Sequence, residues 1–338
     1  MLQNPHHRPI DQRRNAAGMM ELGTPEEGGI TEMIPLADKL IVIKEYAIYA
    51  VQLADEIDPG RTNIEIPNVQ QKIASEGSQS DLVCRVLLTG GELLNESYLD
   101  PRVDCKRGLL ICVQILTELV AMKELAAALQ QAQEQAVKAM QKKPDGSLLL
   151  PAIPDVLVRA KTFIQRAEHV AQSLYILCVL FYGEELKKKG KWFDGLTALL
   201  HEKYGEADDF SRFSVQVAQC CKFLRNTRNC VEHASTSQFI DVRDFDLLPS
   251  REIMPPSIKV VHGETPQPII PVDNFMEQVA QSVLNLTEQL IAFLCSKHVQ
   301  NIGGLTVQIG EVPEDQRGNK KIRYGYVVWF GDQLVRAS

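Results

Sequence analysis

From Val156 to Phe181 an apolar residue recurs at every third or fourth position: Val156, Ala160, Phe163, Ala167, Val170, Leu174, Leu177 and Phe181. That period places all eight on one face of a helix, and only burial against neighbouring elements can stabilise a stripe of that length. The chain therefore has to build a helical core. A second long helix is predicted from Arg107 to Lys142, apolar over much of its circumference at first. It then narrows to Leu125, Leu129, Ala132, Ala136 and Met140, a seam for one packed neighbour. Lys143-Pro144-Asp145-Gly146 ends it.

The remaining periodicities extend this pattern. Residues 1–31 are polar and read as a disordered tail. Leu36, Leu40, Ile43, Ala47, Val51 and Ala54 predict an amphipathic helix from Met33 to Ile57, closed by Asp58-Pro59-Gly60. A helix over Asp81–Leu94 is expected to kink or break at Gly90-Gly91. Beyond Pro151–Pro154 come the 156–181 helix, a short helix holding Trp192 and Leu196, one from Phe213 to Ala234, and one from Asp273 to His298. Ile258–Val261 reads as a short strand. Leu305–Ile309 and Ile322–Phe330 read as a closing β-hairpin. The expected fold is mainly α: a tail (1–31), a helical region (32–150), a helical bundle (151–300) and a small C-terminal hairpin (301–338).

Composition narrows the class. Net charge is −7, so any contact with nucleic acid needs a local basic patch. Residues 1–31 hold no apolar stretch of signal-peptide length, and Leu174–Tyr182 is too short to span a bilayer. Most of the eight cysteines fall at apolar helix positions, as in a reduced interior. A cytoplasmic protein without membrane contact is expected.

The chemistry-bearing stretch is Arg225-Asn226-Thr227-Arg228-Asn229-Cys230-Val231-Glu232-His233. On a helix, Arg225, Asn229 and His233 lie at about 100°, 140° and 180° from Leu224, with Lys222 in the same sector. Leu224 and Val231 would face the core. Such a basic ladder suits RNA cleavage. A histidine moves protons near neutral pH, and an arginine fork matches phosphate oxygens. The plain alternative is a cationic helix end with an ordinary Arg228–Glu232 surface pair.

The Arg228-Asn229-x-x-x-His233 spacing, after an apolar lead-in and late in a helical bundle, resembles the HEPN superfamily over roughly residues 155–300. The resemblance implies a metal-independent endoribonuclease of the toxin or phage-defence kind. Arg228 and His233 would be catalytic, with Asn229 beside them. It also implies RNA as substrate, a cleft completed by a second copy in a homodimer, and an antitoxin or regulatory protein as partner. Ser235 stands where one toxin subset carries a modifiable tyrosine, which puts that mode of regulation in doubt. Other HEPN proteins are non-catalytic modules that bind RNA or protein, and that is the competing expectation. A purely structural scaffold is the third.

Around this stretch, Arg225, Asn226, Lys222, Lys187, Lys188, Lys189 and Lys191 are the candidate RNA-binding residues, with Trp192 as a stacking aromatic. For the lysine run, the commoner reading is a solvated loop with Trp192 packed inward. Cys220, Cys221, Cys230 and His233 have one zinc-like spacing but lie along one helix, which does not suit a knuckle site. No metal or cofactor is called for.

Overall fold

In the computed structural model, residues 8–16, 20–36, 38–301, 306–330 and 333–337 are described. Helix α1 (Pro9–Asn15) is followed by strands β1 (Ile30–Leu36), β2 (Lys39–Lys44) and β3 (Ile48–Gln52). After the short α2 (Ala54–Ile57), β4 (Val69–Ala74) completes an antiparallel sheet in the order β1-β2-β3-β4. The region is thus a sheet where periodicity predicts a helix, and the chain is not a helical bundle with one small hairpin. Ile41, Ile43 and Ile48 face the main core, while Val42, Tyr49 and Val51 pack on the opposite face with Leu22. Residues buried on both faces lose the alternation that marks a strand.

Part of the stretch read as tail covers that second face. Lys44 Nζ donates to the carbonyls of Leu22 (2.9 Å) and Thr24 (2.7 Å), and the Tyr49 hydroxyl donates to Glu27. Lys72 holds the Glu27 carboxyl at about 2, well below the usual range. Arg61 ties α1 to this layer through Asp11 (3.2 Å) and Asp55 (2.6 Å). The rest of the expected tail, 1–7 and 17–19, lies outside the described residues.

The segment from Val83 to Leu88 is a wide π-helical turn that runs straight into α3 (Thr89–Leu93). The helix does not break at its glycine pair. A Cβ on Gly90 would come within 2.9 Å of Cys112 Sγ, so this glycine serves the close approach of the next helix, α4 (Cys105–Lys138). A two-strand ribbon, β5 (Gln141–Lys142) and β6 (Leu148–Leu149), leads to α5 (Val156–Lys189), which bends at Gly183 (φ 53°). Helices α6 (Phe193–Tyr204) and α7 (Asp209–Glu232) follow.

Next come β7 (Phe239–Arg243), the pair β8 (Asp246–Leu247) and β9 (Ile253–Met254), then β10 (Ser257–Val261) and β11 (Gln267–Pro271). The expected strand at 258–261 is the centre of an antiparallel sheet, β11-β10-β7. Helix α8 (Val272–Ser296) precedes a second three-stranded sheet of β12 (Gln308–Glu311), β13 (Tyr324–Phe330) and β14 (Gln333–Arg336). The predicted hairpin is thus a larger sheet. The first residue of its expected opening strand, Leu305, lies outside the described residues.

One hydrophobic core runs from the first sheet through α4, α5, α6, α7 and α8. The seam at 125–140 is covered in part within the chain: Leu129 is fully buried, Leu125, Ala132 and Ala136 pack half-buried against the same core, and Met140 is exposed. Most of the stripe offered as one ground for a homodimer is thus taken up by contacts within the chain. The C-terminal sheet closes on residues far earlier in sequence. Tyr326 stacks on Tyr98 (4.2 Å) and its hydroxyl donates to the Leu93 carbonyl, while Arg336 Nη2 reaches both oxygens of Glu92 (2.8 Å). Between these layers the Glu288 carboxylate, fully buried, accepts from Arg85 and Arg323.

At the end of α8, His298 Nδ1 donates to the Leu294 carbonyl (2.8 Å) and the ring lies edge-on against Phe181 and Tyr182. That burial pushes its pKa below 6.5. The Leu294 hydrogen bond and Asp100 oppose the shift, while Lys203 and Arg102 reinforce it. The folded state therefore binds this proton less well than the unfolded chain does. Its contribution is complete above the unfolded value and is lost as pH falls through and below it. The thermal midpoint should fall between pH 7.5 and 5.5, and His298→Gln should flatten that fall. Equal slopes for variant and wild type would refute the assignment.

Candidate functional site

Helix α7 begins at Asp208, whose carboxylate caps the amides of Phe210 (3.0 Å) and Ser211 (3.1 Å) and pairs with Lys297. Phe210 and Phe213 stack on Phe293 of α8, and Phe223 lies near Phe275. Toward the C-terminus the buried stripe continues through Cys221, Leu224, Thr227 and Cys230, with the Cys230 thiol near the Val261 carbonyl (3.4 Å). Leu224 is buried as expected, whereas Val231 is only half-buried. The second sheet takes up the end of the stripe through β7 and β10.

The predicted polar ladder divides into two groups. In the first, the Arg225 guanidinium lies 4.7 Å from the centre of the Trp192 ring, a cation–π contact. Asn226 Nδ2 donates to Thr265 Oγ1 (3.2 Å), and Lys222 Nζ pairs with Glu264 (2.7 Å). These side chains border a groove of about 520 Å³ with Tyr175, Lys191, Trp192 and Phe193. Of the lysine run, only Lys191 lines it. Lys187 pairs with Glu184 and Lys189 with Glu202, and Lys188 is exposed. Trp192 is half-buried and faces Arg225, so it is neither wholly inward nor free.

In the second group, Arg228 Nη2 pairs with Glu232 (2.5 Å), the plain i,i+4 contact. Asn229 is half-buried beside it, and its carbonyl accepts from the His233 amide (2.8 Å). His233 falls just past the helix end, with φ −124° and ψ 47°, and its side chain is exposed. It therefore leaves the helical ladder one residue early. Gln238 donates to its carbonyl and fixes the turn into β7.

The turn between β10 and β11 also contributes a histidine that helix reasoning missed. His262 Nδ1 accepts from the amides of Glu264 (3.2 Å) and Thr265 (3.3 Å), and it lies 3.3 Å from the Thr265 hydroxyl that meets Asn226. As an acceptor, Nδ1 leaves the proton of the neutral ring on Nε2. Only long-range pairing of β10 with β7 brings this turn to α7, so no local sequence signal marks it. The end of α7 thus combines arginine forks, an exposed imidazole and an aromatic groove, groups suited to phosphates and unstacked bases. The chain matches no protein-family model, no curated protein and no solved structure.

Proposed function

We propose that this chain is a metal-independent endoribonuclease of the HEPN type that cleaves single-stranded RNA at the C-terminal end of α7. The observation that supports the reading is that Arg225, Arg228 and Asn229 lie in the last turns of α7 with exposed His233 just beyond its end, and that Arg225 borders the Trp192 groove. His233 takes the proton of the ribose 2′-hydroxyl. The oxygen attacks the adjacent phosphorus, the P–O5′ bond breaks, the leaving 5′-oxygen takes a proton from water, and a 2′,3′-cyclic phosphate remains. Arg228 stabilises charge on the phosphate after exchanging Glu232 for it, and Asn229 orients that pair. Arg225 and Lys222 draw the strand toward the groove, and Lys191 adds charge at its rim. Toxin or phage-defence activity, an antitoxin or regulatory partner, and a homodimer belong to this reading through the family resemblance. Light scattering tests for the second copy.

The purified chain, incubated with RNA in EDTA, should generate cyclic-phosphate ends. His233→Ala should reduce the rate about 100-fold or more with an unchanged melting temperature, because the side chain is exposed. Wild type that binds RNA without cutting it would sink the nuclease reading. The second reading, a non-catalytic RNA-binding module, would then take its place. It is favoured by one observation: Arg228 is already engaged by Glu232.

A further inference from the structure

A groove of about 790 Å³ lies away from α7, between the first sheet and the C-terminal sheet. Five consecutive residues of β1, Thr31 to Pro35, form one wall. β1 is an edge strand among the described residues, paired with β2 alone. Among the described residues, no backbone group of Thr31–Pro35 bonds outside that pairing. In a two-sided ladder the groups on the outer edge would be engaged, so here they are available to an incoming strand. The exposed side chains of Ile30 (54%) and Met33 (56%) flank this edge.

The other walls define what could pair there. Leu88, Leu109, Val312 and Ile322 supply apolar surface. Arg317, Lys320, Lys321 and Arg336 line the groove against the carboxylates of Glu32 and Glu92, a positive balance in a chain of net charge −7. Arg336 is neutralised by Glu92, and Arg317 pairs with Glu311. Lys321 donates only to the Gln79 carbonyl, and Lys320 is exposed, so both keep uncompensated charge among the described residues. We propose that this groove binds an extended segment of a partner protein, alternating apolar and acidic residues, which adds as a fifth strand to β1. Backbone pairing supplies affinity, and alternate side chains read the apolar and basic surfaces. Pro35 has no N–H and ends the pairable edge, which limits addition to a short segment. An anionic acyl chain would also suit the apolar and basic surfaces. It would make no use of the strand edge, and for that reason the peptide is the better fit.

A phage-displayed library of eight-residue peptides, selected on the full chain, should enrich alternating apolar and Asp/Glu sequences. The best synthetic binder, followed by fluorescence anisotropy, should lose affinity about tenfold or more on the Lys320→Glu/Lys321→Glu variant. N-methylation of alternate peptide amides, which leaves the protein untouched, should abolish binding. The proposal is overturned by a pool with no acidic bias, by no enrichment at all, or by binding indifferent to N-methylation. Displacement by decanoate of a peptide that tolerates N-methylation would assign the groove to an anionic amphiphile instead.

Discussion

Replacing Glu288 with alanine is expected to lower the free energy of unfolding by about 3–5 kcal/mol, read as a fall in the urea midpoint. The carboxylate has no exposed surface. It accepts from Arg85 Nε (2.7 Å) and Arg323 Nε (3.0 Å), and Arg85 also donates to Asn285 (2.6 Å). Deleting it leaves two guanidinium groups facing each other, one of them buried, with no anion between them. The charge is then uncompensated in a medium that solvates it poorly. The π-helical turn over Val83–Leu88 contains Arg85, so the loss reaches α3, α8 and the entry to β13 together. Replacing all three charges with apolar residues of similar size should cost much less than Glu288→Ala alone, because no orphan charge remains. A midpoint for Glu288→Ala within error of wild type would show that water reaches the cluster.

The second large effect is expected at Gly195, in the first turn of α6. A Cβ there would stand 1.9 Å from the Gly190 carbonyl oxygen, a backbone atom that cannot rotate away. Gly190, Lys191 and Trp192 have φ of 58°, 55° and 55°, so two residues with side chains already occupy a region that favours glycine. The Gly195 and Leu196 amides hold this loop by donating to the Trp192 carbonyl (3.0 and 3.3 Å). Gly195→Ala should destabilise the protein by about 3 kcal/mol and push the loop outward. Trp192 should then leave the Arg225 guanidinium, with a red shift in tryptophan emission and, on the proposed ribonuclease reading, weaker RNA binding. Gly263→Ala, which meets nothing within 4 Å, is the control and should match wild type. If Gly195→Ala also matches wild type, the loop is not held as described.

The helices were legible because each carries one continuous stripe against a common core. The run from Val156 to Phe181 is a part of α5, and Phe213–Ala234 overlaps α7 closely. The first sheet was not legible, for a specific reason. Leu36, Leu40, Ile43, Ala47 and Val51 fit a period near 3.6, yet Leu40-Ile41-Val42-Ile43 and Ile48-Tyr49-Ala50-Val51 are strands packed on both faces. β-Branched enrichment and the Glu45-Tyr46 turn were the available signals. At the candidate site, helical geometry placed Arg225 and Lys222 in a shared sector, and both border one groove. It did not anticipate that His233 would fall beyond the last turn, since helix ends are set by capping and by the strand that follows. Nor could it supply His262, which reaches Asn226 only through the pairing of β10 with β7.

The closure of the C-terminal sheet on α3 also governs how the chain can mature during synthesis. Tyr326 meets Leu93 across 233 positions, and Arg336 meets Glu92 across 244. At about 5–20 residues per second, the ribosome needs roughly 10–50 s to deliver those partners. Throughout that interval the apolar surfaces of α3 and α4 have no C-terminal cover, and they are open to holdase chaperones. Arg85 waits about as long for Glu288, and longer for Arg323. A nascent chain stalled after α8 would carry the whole of α7 with an unfinished buried charge network, which closes only when Arg323 is delivered.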